Sequence, residues 1–262
     1  NYGSEDVLVR TKKEKDGTYR LEHLYEESSI LTIEILKDGS LGKVCDLHVF
    51  DGVPSRFYEW FQSAPHPHSV QIDPEGKMVL VTDRGCDELH LFRLNRANRI
   101  LEQEKVIKTD RGIGPRVCIF HPEKRVVYIV GEVLPYVLVY GYDPETLELV
   151  QKQCIATVPE SEIYGRNKKE FFDCTHPSDI RIHPKGKVLY ICNRGNDTVA
   201  SFSINKEGSL TLVERIPSGG NWPWSCCCDT QANYFYVSNK LNGSVAIFEM
   251  GIDGKLSDTG WD

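Results

Sequence analysis

The sequence predicts an all-β fold made of repeated small sheets, and three observations carry that expectation. First, one hairpin pattern recurs four times without a slip in register. Its outward arms run His68–Pro74, Arg116–Pro122, Ser178–Pro184 and Trp224–Thr230, and its return arms end at Arg84, Glu132, Arg194 and Lys240. Second, the turn positions Pro74, Pro122, Pro184 and Thr230 lie 48, 62 and 46 residues apart. Third, each copy is followed by another short apolar run and a polar turn. Periods of about 40–50 residues with four strand-like runs each are the signature of β-propeller blades.

The elements follow in order. Asn1–Ser4 reads as the end of a second strand, and residues 5–27 form a highly charged surface insertion, either hairpin-like or poorly ordered. Ser29–Ile35 and the turn Lys37-Asp-Gly-Ser-Leu41 resemble a third strand and its exit. Second strands are expected at Met78–Thr82, Val126–Val130, Val188–Cys192 and Tyr234–Ser238. Third strands follow at Glu88–Phe92, Tyr136–Tyr140, Val199–Ser203 and Val245–Glu249. Asp143–Leu147, Asn205–Leu210 and Asp253–Leu256 are turns between antiparallel strands. The 62-residue interval accommodates a long charged loop, Val158 to Thr175. Residues 1–262 therefore read as a single β-propeller domain of about four and a half blades. A closed seven-bladed ring needs more than about 300 residues, and an open one exposes sheet edges. The expectation is that further blades precede Asn1 and a short stretch follows Asp262.

Composition bounds the function. The chain is 40% hydrophobic and 26% charged, ordinary globular values. Its net charge of −7 argues against a nucleic acid or an anionic membrane as partner. No apolar run approaches the roughly 18 residues of a membrane span. The nine cysteines include Cys118, Cys192 and Cys226, which stand in register with small core residues of other copies. They read as reduced, buried thiols of a cytoplasmic protein. Cys226 and Cys228 share a strand face, but no Cys-x-x-Cys or paired-His companion supports a metal site there. No nucleophile elbow, Walker loop or dinucleotide fingerprint occurs. The expectation is a monomer with no metal and no cofactor, acting on a small anionic substrate.

Departures from the repeat mark the candidate site. Six residues before each turn position, a first slot holds His68, Arg116, Ser178 and Trp224; ten residues after it, a second slot holds Arg84, Glu132, Arg194 and Lys240. A hairpin returns both slots to the same end of the sheet, so these residues should crowd one rim. His66 lies two residues before the first slot, and Asp179 lies beside it. His121 and His183 sit at the opposite, turn end and read as turn residues, while Asp83, Asn193 and Asn239 close second strands and should bond backbone.

Several segments also resemble a known family. Pro65-His-Pro-His-Ser-Val70, Gly114-Pro-Arg116, Ser178-Asp-Ile180, Asn193-Arg-Gly195 and Gly219-Gly-x-Trp-Pro223 are similar to the seven-bladed lactonase family. That family contains bacterial propeller-type 6-phosphogluconolactonases and fungal carboxy-cis,cis-muconate lactonizing enzymes. The resemblance runs from Asn1 to the C-terminus and implies an active site at one mouth of the central channel. Its motif positions fall on His68, Arg116, Glu132 and Arg194. Val117 stands where the family often has His, and Trp224 where it commonly has Arg.

The resemblance implies metal-independent hydrolysis of a sugar lactone, with 6-phosphogluconolactone the first expectation. Arg116 and Arg194 offer rigid donor forks for an anionic group and a developing oxyanion. Glu132 is the one acid in the second slot and could activate water, although a carboxylate between guanidiniums is a weak base. His68 is the alternative base; the two are expected to act together, their order open. Arg84, Lys240, His66 and Asp179 are expected to bind substrate. Lactonizing cyclisation of a carboxylated muconate is the second reading, and a non-enzymatic interaction platform the third.

Overall fold

Short apolar runs separated by turn residues become strands nearly everywhere in the computed structural model, which describes residues 8–24, 28–58, 61–163 and 174–261. Hairpin β1 (Leu8–Lys13) and β2 (Tyr19–Leu24) forms the described part of the charged insertion. β3 (Ser29–Ile35) pairs with β4 (Leu41–Val49) in a second two-stranded sheet. The strand end expected at Asn1–Ser4 lies outside the described residues.

Four antiparallel four-stranded sheets follow, each a simple meander. The first is β5 (Pro67–Ile72), β6 (Met78–Asp83), β7 (Glu88–Asn95) and β8 (Ile100–Lys108). The second is β9 (Pro115–Phe120), β10 (Val126–Gly131), β11 (Tyr136–Asp143) and β12 (Glu148–Ala156). The third comprises β13 (His176–Ile182), β14 (Val188–Arg194), β15 (Thr198–Ile204) and β16 (Leu210–Pro217). The fourth comprises β17 (Pro223–Cys228), β18 (Tyr234–Asn239), β19 (Ser244–Met250) and β20 (Leu256–Asp258). The architecture is all-β and propeller-type. In the long loop after β12, a single 3-10 turn spans Glu160–Glu162 and the expected excursion beyond 163 lies outside the described residues.

Neighbouring sheets pack face to face, and this is where the core sits. Leu80, Leu89 and Leu91 of the first sheet meet Ile129, Leu138 and Tyr140 of the second. Tyr128, Val130 and Val139 meet Leu189, Ile191 and Phe202 of the third. Tyr190, Cys192 and Val199 meet Phe235, Val237 and Phe248 of the fourth. The first strands β5, β9, β13 and β17 lie side by side along the inner wall. The second strands of the first three sheets are buried on both faces, which explains their unbroken apolar runs, while β18 of the fourth sheet is buried on one face and half-buried on the other.

The turn ends repeat one chemistry with two residue types. Asp73 accepts hydrogen bonds from the Glu75, Lys77 and Met78 N–H groups, and Asp229 from those of Gln231, Asn233 and Tyr234. At the same register, His121 Nδ1 accepts from Glu123 and Lys124, and His183 Nδ1 from Lys185. His121 and His183 are turn caps, remote from the rim.

Candidate active site

Each first strand carries the same irregularity at the same place. The register shifts between Pro67 and Ser69, and again between Pro177 and Asp179 and between Pro223 and Ser225. In the second sheet Pro115 faces Gly131 while Val117 faces Val130. The extra residues are His68, Arg116, Ser178 and Trp224. A β-bulge inserts one unpaired residue and re-aims its side chain, so the four first-slot residues leave the strand alternation together.

The second slot lies opposite. Arg84 N donates to His66 O at 3.1 Å, Glu132 N to Gly114 O at 2.8 Å and Lys240 N to Trp222 O at 3.0 Å, and Arg194 pairs with His176 in the ladder. A third slot thus holds His66, Gly114, His176 and Trp222. Gly114 has φ +59°, and a Cβ there would collide with Val133, so the tight approach to Glu132 requires glycine.

Glu132 is the hub. Arg84 Nη1 lies 3.1 Å from Oε2, Arg116 Nε lies 3.2 Å from Oε1, and Arg194 Nη2 donates to Oε1. All four side chains are buried, yet they come from three different sheets. The backbone helps hold them: Arg194 Nε donates to His176 O at 2.9 Å, and Arg116 Nη1 donates to Ser178 O. His176 Nδ1 in turn lies 2.9 Å from Glu132 O. Three guanidiniums against one carboxylate leave two positive charges uncompensated in a water-poor site, where field strength is high. Such a cluster attracts a small polyanion and repels a metal cation.

Aromatic rings form the wall around it. Arg84 stacks on Phe61 at 3.8 Å; Arg194 lies 4.9 Å from the Trp224 ring and 5.6 Å from that of Trp222; and Lys240 sits 4.3 Å over Trp224. These ring contacts orient the cations. Trp222 keeps a left-handed φ of +63°, anchored by its N–H to Asp197 Oδ1 at 2.8 Å. A bulky residue in that region stores strain, a common mark of functional sites.

Electrostatics shifts both acid/base candidates in the same direction, downward. Burial alone would raise the Glu132 carboxyl, but Arg116, Arg84 and Arg194 outweigh it and hold the group well below the usual carboxylate range. Glu132 is thus a fixed anion that organises cations. Burial, then the Arg116 charge, pushes His68 down to about 3; burial, then Arg84, pushes His66 down to about 4. Both imidazoles are neutral near pH 7 and carry a lone pair.

The structure brings His66, His68, Arg84, Arg116, Glu132 and Arg194 into one mutually interacting group, with Lys240 exposed at its margin over Trp224. Asp179 points elsewhere: its carboxylate accepts from Ser225 Oγ and Cys226 N, each at 2.9 Å, and pairs with Arg181. It ties two first strands together. Asp83 accepts from the N–H groups of His66, Gly85 and Cys86, and Asn239 Nδ2 donates to Ser218 O, as expected of strand closers. His176, Trp222 and Phe61 were not anticipated. The third slot was the available signal for the first two, since His66 already occupied it.

The family model described as "Lactonase, 7-bladed beta-propeller" matches residues 5–262. A 6-phosphogluconolactonase of Bacillus subtilis is 28% identical over 228 residues, 86% of this chain and 61% of the relative. One of Formosa agariphila is 28% identical over 250 residues, covering 93% and 67%. The chain thus spans between three fifths and two thirds of the length of these curated relatives. Among solved structures, a periplasmic gluconolactonase of Pseudomonas aeruginosa superposes with a TM-score of 0.77 at 24% identity, covering 94% of this chain and 67% of that one. A Lactobacillus plantarum protein gives 0.79 at 22%, covering 97% and 81%. These two likenesses concern the fold.

Proposed function

This chain belongs to the seven-bladed β-propeller lactonase family, and from that premise we propose that it hydrolyses a sugar lactone, with 6-phosphogluconolactone as substrate and 6-phosphogluconate as product. The observation that carries the reading is the buried group of three arginines held by the single carboxylate of Glu132, with neutral imidazoles beside it.

In this reading Arg116 and Arg194 receive the developing oxyanion, and Arg84 with Lys240 faces the phosphate. Prepositioned donors of this kind contribute about 3–4 kcal/mol each to transition-state stabilisation. His68 accepts a proton from the attacking water; the carbonyl carbon–ring oxygen bond then breaks, and the alkoxide leaving group takes the proton back. With burial and the Arg116 charge holding its imidazole at about 3, His68 is a weak base, and its contribution lies at the low end of the about 10²–10⁴-fold of a general base. The guanidiniums fill the electrophilic role, so the proposed steps use no metal. Glu132 holds the arginines at working distance. Asp179 is assigned a structural part.

The same reading extends to the rest of the molecule. We place the four four-stranded sheets and the β3–β4 pair as four and a half blades of a seven-bladed ring, supported by the family's described form. A cytoplasmic location is proposed, supported by cysteines used as small buried core residues, Cys118, Cys192 and Cys226 among them, and a monomer is proposed with it.

The test compares kcat/KM for 6-phosphogluconolactone and for the unphosphorylated gluconolactone. Hydrogen bonds to a charged group contribute about 1.5–3 kcal/mol, so the phosphorylated lactone should be preferred by roughly 10–100-fold. Equal turnover of both would remove the phosphate from the proposal. Turnover of neither, with cyclisation of a carboxylated muconate detected instead, would replace hydrolysis by the lactonizing reaction.

A further inference from the structure

The four sheets share a register, so a residue cluster present in only one of them stands out. In the first sheet Asp83 faces Glu88 across the β6–β7 ladder, and His90 follows two residues along β7 on the same face. The equivalent positions are Gly131, Tyr136 and Leu138 in the second sheet. They are Asn193, Thr198 and Ala200 in the third, and Asn239, Ser244 and Ala246 in the fourth. The repeat therefore does not require charge there. Two carboxylates directly opposite one another are unfavourable in a sheet, and here both are buried.

We propose that Asp83, Glu88 and His90 form a binding site for a divalent cation of the zinc class, separate from the lactone-binding rim and structural in role. Their ligating atoms lie within 4.8 Å of one another. Ligand atoms around tetrahedral zinc stand about 3.3 Å apart, given Zn–N and Zn–O bonds of about 2.0–2.1 Å, so small side-chain rotations close the set. Two carboxylates and an imidazole are a donor set that suits zinc, with a fourth position left open. The Cys86 thiol borders that position: it and Glu88 Oε2 both crowd the point where a Gly52 Cβ would stand, at 2.9 and 2.8 Å.

Two further features point to a ligand. Asp83 is fully buried, and its Oδ1 takes three backbone N–H groups, whereas no hydrogen bond from the described residues reaches Oδ2. His90 is also buried, and its Nε2 pairs with Glu88 Oε2 at 3.2 Å, the contact that a cation would bridge. The ring is set in place by Phe50, packed edge-on at 4.7 Å, and by the Gln103 amide 3.2 Å from Nδ1. An outer partner on the second ring nitrogen is the usual companion of a metal-binding histidine. Access runs through a cleft of about 360 Å³ bordered by Asp51, Gly52, Gln103 and Lys108. Lys108 is exposed, and its Nζ lies 2.5 Å from Glu88 Oε1. It supplies one positive charge against two carboxylates and competes with an incoming ion. Because Asp83 precedes Arg84 and holds the His66 N–H, a bound cation would steady the segment carrying two rim residues.

The test uses the full chain, stripped with a chelator and dialysed against Zn²⁺, with bound zinc measured by elemental analysis and affinity by titration. The expected result is one zinc per chain and a raised melting temperature. Glu88→Gln and His90→Gln should each weaken binding by more than the roughly 10–100-fold typical of losing an outer partner, with circular dichroism unchanged. Lys108→Met, a surface change, should bind zinc more tightly than the parent. Absence of stoichiometric zinc in the parent chain overturns the proposal, whatever the variants do. So does zinc that Lys108→Met leaves unaltered, which would assign the ion to another site such as the cysteines of β17.

Discussion

At the scale of single residues, Glu132 decides how the rim works. A buried carboxylate facing three guanidiniums is an organiser, and removing one partner of a buried pair costs about 3–5 kcal/mol. Glu132→Gln should therefore lose both activity and stability, the latter seen as a lower denaturation midpoint. Arg194→Lys keeps the charge but loses the fork, and should reduce kcat by roughly 10²–10³-fold with a smaller effect on stability. The imidazoles predict the pH behaviour. His68 at about 3 and His66 at about 4 lie below the ordinary histidine value of 6.5. Because kcat/KM reports the free enzyme's ionisations, its acid limb should fall below about pH 4, with no break near 6.5. For stability the same shifts have a definite sign. The unfolded chain binds more protons between the folded and unfolded values, so stability is complete above about pH 6.5 and declines as pH falls toward 4 and 3. The lowered Glu132 carboxyl adds a loss in the same direction below about 4.5. Denaturant midpoints at stepped pH should show the decline, and His66→Asn should flatten its upper part.

At the scale of strands and sheets, the shared bulge aims the chemistry and the inter-sheet core fixes it. Phe235 is fully buried between the third and fourth sheets, its ring tilted against that of Tyr190 with centroids 4.8 Å apart. Phe235→Ala should cost about 3–5 kcal/mol, read from thermal or denaturant unfolding. Much of this level was legible in advance. Strand positions followed from apolar runs bounded by turn residues, and the two slots followed from their fixed distance to the turn. The bulge left no local mark in the sequence, because His68, Arg116, Ser178 and Trp224 share no residue type that demands one. Asp179 illustrates the limit: one step from a bulged residue the alternation resumes, and its side chain faces Ser225 of the neighbouring sheet. His176 was readable by extending the register two residues upstream, as His66 already indicated, and Trp222 also stood in the Gly219-Gly-x-Trp-Pro223 segment.

At the scale of the whole molecule, a chain with a net charge of −7 concentrates positive charge at one place. That contrast repels anions from most of the surface while the rim attracts them. Arg84, Arg116, Arg194 and Glu132 come from three sheets, so the site exists only when the sheets are packed together. Which arginine meets which carboxylate oxygen is a property of that packing, and no spacing along the chain encodes it. In the proposed reading this inter-sheet arginine cluster supports hydrolysis of a lactone. The most direct test of that reading is the rate of 6-phosphogluconolactone hydrolysis, with the spontaneous rate subtracted, by the chain and by folded Arg194→Lys. The rate should stand well above background and fall roughly 10²–10³-fold in the variant. A rate indistinguishable from background, or one unchanged by Arg194→Lys, would contradict that reading.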